Sequence, residues 1–238
     1  MLSGSRYPIP FHSIPYHTIQ GAVSKKNVFL KQGVKFLCML KPGDKIGEGN
    51  FRECFAVAGE PGLCIKRLKP GLGPLQKLQV IFLRRRMNHE ELKTYKSLPA
   101  ELKEFFNPII DASDEYLVTG RPLDYDGTHS RPVCVYGKVF NEMFWGEVEK
   151  LVSLLDEHKI WFFDTFQIGT NIFVQRLSET EWKPIIIDYK HLGWKAFPMQ
   201  FNLLLPSEKR RKFFRCYRRF EKRFRGRLPE HTGSGGNQ

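Results

Sequence analysis

Residues 161–193, WFFDTFQIGTNIFVQRLSETEWKPIIIDYKHLG, decide how this chain is read. Two runs of strand-forming residues lie within them, Asn171-Ile172-Phe173-Val174-Gln175 and Pro184-Ile185-Ile186-Ile187-Asp188. The polar Ser178-Glu179-Thr180-Glu181 separates them, and the pattern predicts a β-hairpin. Antiparallel pairing sets the start of the first strand beside the end of the second, so Asn171 and Asp188 share one end of the hairpin. An amide oxygen and a carboxylate at that end are oxygen ligands of the kind Mg²⁺ takes. Hairpins with polar ends are common, so the reading depends on whether phosphate-binding residues lie upstream.

Upstream runs Lys45-Ile46-Gly47-Glu48-Gly49-Asn50-Phe51-Arg52-Glu53-Cys54-Phe55-Ala56-Val57, then Gly59-Glu60-Pro61-Gly62 and Leu63-Cys64-Ile65-Lys66-Arg67-Leu68. This is strand, glycine turn, strand, turn, strand. Gly47 and Gly49 permit a tight turn whose backbone can approach phosphates, although a lone G-x-G also marks an ordinary hairpin. Lys66 closes the apolar-apolar-Lys pattern Cys64-Ile65-Lys66 and is either an inward, phosphate-facing amine or a solvated lysine. Residues 75–98 form one predicted helix, with Leu75, Leu78, Ile81, Phe82, Met87, Leu92 and Tyr95 at roughly helical spacing. Glu91 falls in it where it could pair with Lys66; its neighbour Glu90 is the alternative that spacing leaves open.

Two strands are expected over 107–112 and 115–119, then a connector over 120–127 that contains Asp124-Tyr125-Asp126-Gly127. A short strand over 133–135 and a helix over 139–158, with Phe140, Met143, Phe144, Val148, Leu151, Leu154 and Leu155 on its apolar face, lead into the hairpin. A last helix spans 206–224, its Phe213, Tyr217, Phe220 and Phe224 at core-facing spacing. The order is five strands interrupted by a helix, a connector, a long helix, a loop and a hairpin. That is the plan of a protein kinase, an α+β fold with a small β-rich N-lobe and here a reduced, mostly helical C-lobe. The boundaries read as an arm over 1–27, an N-lobe over 28–119, a connector over 120–127, a C-lobe over 128–225 and a flexible tail over 226–238.

Composition narrows the function classes. At 238 residues and 41% hydrophobic, the chain can bury one substantial core. Its net charge of +13 is uneven: residues 209–227 hold eleven Lys or Arg against Glu221, a net of +10, leaving about +3 elsewhere. Most of the chain therefore needs no polyanionic partner. Five cysteines without a C-x-x-C pair argue against a disulfide framework or zinc site and fit a reducing cytosol. Prolines 8, 10 and 15 interrupt the N-terminus, so no signal peptide is expected, and no run is long enough for a membrane span.

Gly47 to Phe55, Leu63 to Arg67, Glu91 to Tyr95, Asp124 to Gly127, Asn171 to Phe173 and Ile187-Asp188, taken in order, resemble the YrbL family, small bacterial proteins of the PhoP regulatory network with a kinase-like fold. The resemblance covers roughly residues 45–224, including the basic terminal helix. It implies an ATP and Mg²⁺ site with Gly47 and Gly49 over the phosphates, Lys66 paired with Glu91, Asp124 at the cofactor, and Asn171 and Asp188 as metal ligands. Three departures stand out. Arg52 replaces the third loop glycine. Asp188-Tyr189-Lys190 replaces Asp-Phe-Gly. The catalytic-base position, five residues before the Asn, is Phe166, and the nearest acid is Asp164.

Three functions follow. The first is a small cytoplasmic phosphotransferase, with Asp164 as base if Gly169 bulges the loop; its phosphoacceptor would be a small molecule, a lipid sugar or a protein. The second is a weakly active or inactive pseudokinase with a regulatory role, which Phe166 and Tyr189-Lys190 favour. The third, an anionic-surface or nucleic-acid binder using the basic helix, ranks last because the aromatic stripe predicts a helix docked in the core.

Overall fold

The computed structural model describes residues 40–49, 51–71, 73, 88–161, 164–188 and 205–226. The chain divides into two compact units, Met1–Lys41 and Pro42–Gln238, and every element below belongs to the second. The expected arm over 1–27, the strand over 28–40 save Leu40, the tail beyond Gly226, and Tyr189-Lys190 lie outside the described residues.

Strands β1 (Pro42–Glu48), β2 (Arg52–Val57), β3 (Glu60–Leu68), β4 (Ile109–Ala112) and β5 (Tyr116–Gly120) form one antiparallel sheet in the order β1-β2-β3-β5-β4. Strand β5, between β3 and β4, is the most buried, with Leu117, Val118 and Thr119 inside. Strand β1, at the edge, is exposed throughout, and its pairing is irregular between Pro42 and Gly47. Lys45 on it reaches Glu48 and Glu53 at 2.6 and 2.8 Å, so the open edge is charged and kinked, which discourages pairing with another chain.

Between β3 and β4 lie helix α1, described over residues 88–97, and the short α2 (Ala100–Lys103). Residues 75–87 of the expected helix lie outside the described residues. The chain then ties the two lobes together. Asn107 N donates to Ile186 O at 2.8 Å and Ile186 N to Phe105 O at 2.7 Å, so the segment before β4 pairs with the hairpin of the second lobe.

That lobe contains β6 (Arg131–Pro132), α3 (Val133–Tyr136), α4 (Glu142–Glu157), a single 3₁₀ turn (Asp164–Phe166), the hairpin β7 (Ile172–Arg176) and β8 (Trp182–Ile186), and α5 (Pro206–Phe224). The strand expected over 133–135 is instead a helical turn. Only Arg131 and Pro132 pair with β7, and the chain coils directly after them. Helix α4 starts later than the apolar pattern predicts because Asn141 caps it, its Oδ1 accepting from Phe144 N at 2.8 Å. Phe140 and Met143, expected on its apolar face, are exposed, whereas Phe144, Trp145, Val148, Leu151, Val152 and Leu155 are buried.

Helix α5 docks as its stripe predicts: Phe213, Phe220 and Phe224 are buried and Tyr217 packs partly against the same core. Ion pairs fix its ends. Arg210 binds Asp156 through two bonds of 2.7 Å, and Arg225 reaches Glu142, Glu149 and Glu221, each at 2.8 Å. Among the described residues, no helix is long and apolar enough to cross a membrane. Cys54, Cys64, Cys134 and Cys216 are free thiols.

Candidate nucleotide-binding site

The hairpin forms in the register that sets its polar ends together. Ile172 pairs with Ile186, and Ile187 N donates to Asn171 O at 3.0 Å. Asn171 and Asp188 therefore leave the same end of the ladder. Their oxygens are hard ligands, and Mg²⁺ commonly takes one or two protein groups and completes its shell with phosphate and water. The donor set fits that ion.

Across the cleft, the glycine turn leads into β2. Gly49 N donates to Arg52 O at 2.7 Å and closes the turn. A side chain at Gly47 would meet nothing within 4 Å, and one at Gly49 only the Arg52 carbonyl at 3.8 Å. Neither glycine has a positive φ. The tight turn that the sequence suggests is formed without a left-handed residue at either glycine, and the space around both is open.

Lys66 and Arg52 lie on the same face of the sheet, since Cys54 pairs with Lys66 and Arg52 with Leu68. Lys66 Nζ donates to the Ile187 carbonyl at 2.9 Å. The lysine thereby ties the first sheet to the residue immediately before Asp188. The expected Lys66–Glu91 pair is not made. Glu91 instead accepts from Arg52 NH2 at 2.7 Å, while Arg52 NH1 donates to Asn88 Oδ1 at 3.2 Å. Asn88 and Glu91 are three apart on α1 and so present one face to the arginine. The long, forked guanidinium spans the gap from β2 to the helix while Lys66 is held by the carbonyl below.

Arg52 is 7% exposed and Glu91 2% exposed, so this ion pair is inside the protein. Burial opposes the arginine's charge, but the Glu91 and Asp188 carboxylates more than offset it and hold the guanidinium more firmly protonated than a free one. Its NH2 stands 3.9 Å from Asp188 Oδ1. The second Glu91 oxygen, Oε1, is buried with no hydrogen-bond partner. Sequence reasoning noted Arg52 only as a lost glycine. The missed signal is an arginine opening a strand beside a helix with Asn88 and Glu91 at i and i+3.

Asp124, expected at the cofactor, is hydrogen-bonded within the protein. Its carboxylate accepts from Ser130 Oγ at 2.6 Å, from Arg176 N at 3.1 Å and from Arg176 Nε at 2.6 Å, and it is 6% exposed. Arg176 also reaches Asp126 at 2.7 Å. The connector's acids thus clasp β7, because an arginine emerging there can pair with both.

The loop before Asn171 sends its aromatic residue into the core. Phe166 is fully buried and its ring points to α5, edge-on to Phe213, Tyr217 and Phe220 at 5.5, 5.4 and 5.3 Å. Asp164 opens the 3₁₀ turn, and its side chain lies outside the described residues. Gly169 has a φ of +73°, the left-handed conformation glycine tolerates, and a Cβ there would sit 2.8 Å from the Phe224 ring.

Comparison with protein-family models and with curated proteins gives no match. Among solved structures, the chain is similar to the Rio2 kinase from Chaetomium thermophilum, with a TM-score of 0.57 and 18% sequence identity. The likeness covers 84% of this chain and 63% of that kinase, so the chain spans less than two thirds of its length. At this identity the likeness is one of fold. The chain has the two-lobed, kinase-like α+β architecture.

Proposed function

We propose that this protein binds ATP with Mg²⁺ in the cleft between its two lobes and is a relative of the YrbL family. One observation carries the reading: β2, β3, α1 and the β7–β8 hairpin bring Lys66, the Arg52–Glu91 pair, Asn171 and Asp188 to the same cleft. Asn171 and Asp188 would hold the ion, which supplies charge neutralisation at the bridged phosphates. Gly47 and Gly49 leave backbone open to the phosphates. Lys66 fixes the segment carrying Asp188, and Glu91 anchors the cation above it. Asp124 contributes by holding the connector to β7.

The reaction supported is phosphoryl transfer to an acceptor that is a small molecule, a lipid sugar or a protein, in the cytoplasm. Such transfer rests mainly on positioning and electrostatics, and losing a general base slows it by roughly 10²–10⁴-fold without removing it. Asp164 is the candidate base. The buried Phe166 favours the companion reading, a nucleotide-responsive pseudokinase, since a ring locked into the α5 core cannot be a proton acceptor.

A thermal-shift titration with ATP, with and without Mg²⁺, tests the shared claim. A ligand at one hundred times its Kd stabilises the native state by about 2.7 kcal/mol. No shift at millimolar ATP in folded protein would refute both readings.

A second, independent reading concerns α5. Arg215, Arg218, Arg219 and Lys222 are exposed and have no ion pair among the described residues. An anionic surface is the chemistry that would neutralise them. Phosphate-backbone binding would show as affinity falling with salt, with a log–log slope of about −0.9 per contact.

A further inference from the structure

The cation anchored to the helix in this cleft is an arginine supplied by β2, not the lysine of β3. From that arrangement we infer that Arg52 is the residue that binds the nucleotide's terminal phosphates, while Lys66 serves as a positioning residue for Asp188. The inference rests on the reading of the cleft as an ATP site.

The geometry supports each half. Arg52 opens β2 directly after the glycine turn, whose hydrogen bond from Gly49 N ends on its own carbonyl at 2.7 Å. A side chain leaving from there and turning inward must pass beneath the turn, which is where phosphates would lie if the exposed backbone of Gly47 and Gly49 covers them. The guanidinium does this, reaching Asn88 and Glu91 on α1 and stopping 3.9 Å from Asp188 Oδ1. It thus stands between the helix and the metal-ligand end of the hairpin. Lys66, by contrast, has its ammonium at 2.9 Å from the Ile187 carbonyl, a contact that orients the chain entering Asp188.

The chemistry of the pair points the same way. A buried ion pair carries a large desolvation penalty and gives little net stability, so its retention calls for a reason beyond packing. Arginine presents five N–H donors in a planar fork. Asn88 and Glu91 take one bond from each terminal nitrogen, and each of those nitrogens carries a second hydrogen. Phosphate oxygens are the acceptors that such a fork matches in shape and charge. Glu91 Oε1, buried and without a partner, marks the pair as balanced on one side only. It leaves a place for a further donor, such as a water, once a ligand enters. A strut that served only to hold α1 would need neither the spare donors nor the approach to Asp188.

The test compares affinities of the full chain for Mg·ATP, Mg·ADP and adenosine, for wild type and for Arg52→Gln, Arg52→Lys and Lys66→Gln. Folding of each variant is checked by circular dichroism. Arg52→Gln is expected to weaken Mg·ATP by about ten- to a hundredfold, the value of charge-assisted bonds lost, with adenosine affinity unchanged. Arg52→Lys keeps the charge but not the fork and is expected to fall between. Lys66→Gln is expected to lose dependence on Mg²⁺ more than affinity for the nucleotide. Arg52→Gln binding Mg·ATP as wild type does, or more tightly, overturns the assignment; tighter binding would mean that the arginine blocks the metal end. If Arg52→Gln does not fold, Arg52→Lys decides, and undiminished Mg·ATP affinity in that variant overturns the assignment. Absence of ATP binding by wild type overturns the cleft reading and this assignment with it, whereas wild-type binding that survives Arg52→Gln overturns the assignment alone.

Discussion

Replacing Phe166 by alanine removes a side chain that is 0% exposed and edge-on to three rings of α5, with centroids at 5.5, 5.4 and 5.3 Å. Truncating a buried phenylalanine costs about 3–5 kcal/mol, and aromatic pairs add about 0.5–1.5 kcal/mol each beyond area. Three pairs put this site at the upper end, about 5 kcal/mol. A domain's whole stability is about 5–15 kcal/mol, so the variant should be marginal and melt about 10–20 °C lower. Urea unfolding followed by tryptophan fluorescence reads the loss, because Trp145 packs on α5 through Phe220 at 5.8 Å. Phe166→Asp should unfold rather than acquire a base, since it sets a carboxylate among those rings. A loss below about 1 kcal/mol for Phe166→Ala would refute the reasoning, as surface positions give such values. So would turnover gained by a folded Phe166→Asp.

Gly169→Ala should destabilise by about 2–4 kcal/mol in the same assay, from a positive φ and from a methyl placed against the Phe224 ring. Asp124→Ala, which leaves Arg176 without its buried partner, should cost on the order of 3 kcal/mol while leaving nucleotide affinity of the folded fraction unchanged. Altered affinity at equal folding would return Asp124 to the cofactor. Burial, with Glu221 and Glu149 nearby, pushes the Tyr217 phenol up to about 12. The unfolded phenol ionises near about 10, so between those values the unfolded state binds fewer protons and stability falls as pH rises. The contribution is complete below that window, and Tyr217→Phe should flatten the alkaline limb of a melting-temperature profile; an unchanged limb would mean that Tyr217 is solvated.

Much of this was legible because it depends on period and spacing. The hairpin, the aromatic stripe of α5 and the juxtaposition of Asn171 with Asp188 follow from alternation and antiparallel register alone. The boundary of α4 depends on one capping side chain, Asn141, which a smooth apolar pattern hides. After Arg131 the β-branched Val133 and Val135 favour a strand, yet only two residues there, Arg131 and Pro132, find a partner strand. The partners of Lys66, Glu91 and Asp124 were not legible for a different reason. Each is decided by competition among several charged groups brought together over long sequence separations. Arg52 outreaches Lys66 for Glu91, and Arg176, fifty-two residues away, takes Asp124. Motif order locates such residues in one region but does not say which pair forms.

The account is tested most directly by calorimetric titration of Mg·ATP into the wild-type chain and into Asp188→Asn. It predicts saturable one-site binding by the wild type that weakens when Mg²⁺ is withheld, and loss of that metal dependence in Asp188→Asn with metal-free nucleotide affinity retained. No saturable binding by folded wild type, or binding indifferent to both Mg²⁺ and Asp188, would contradict it.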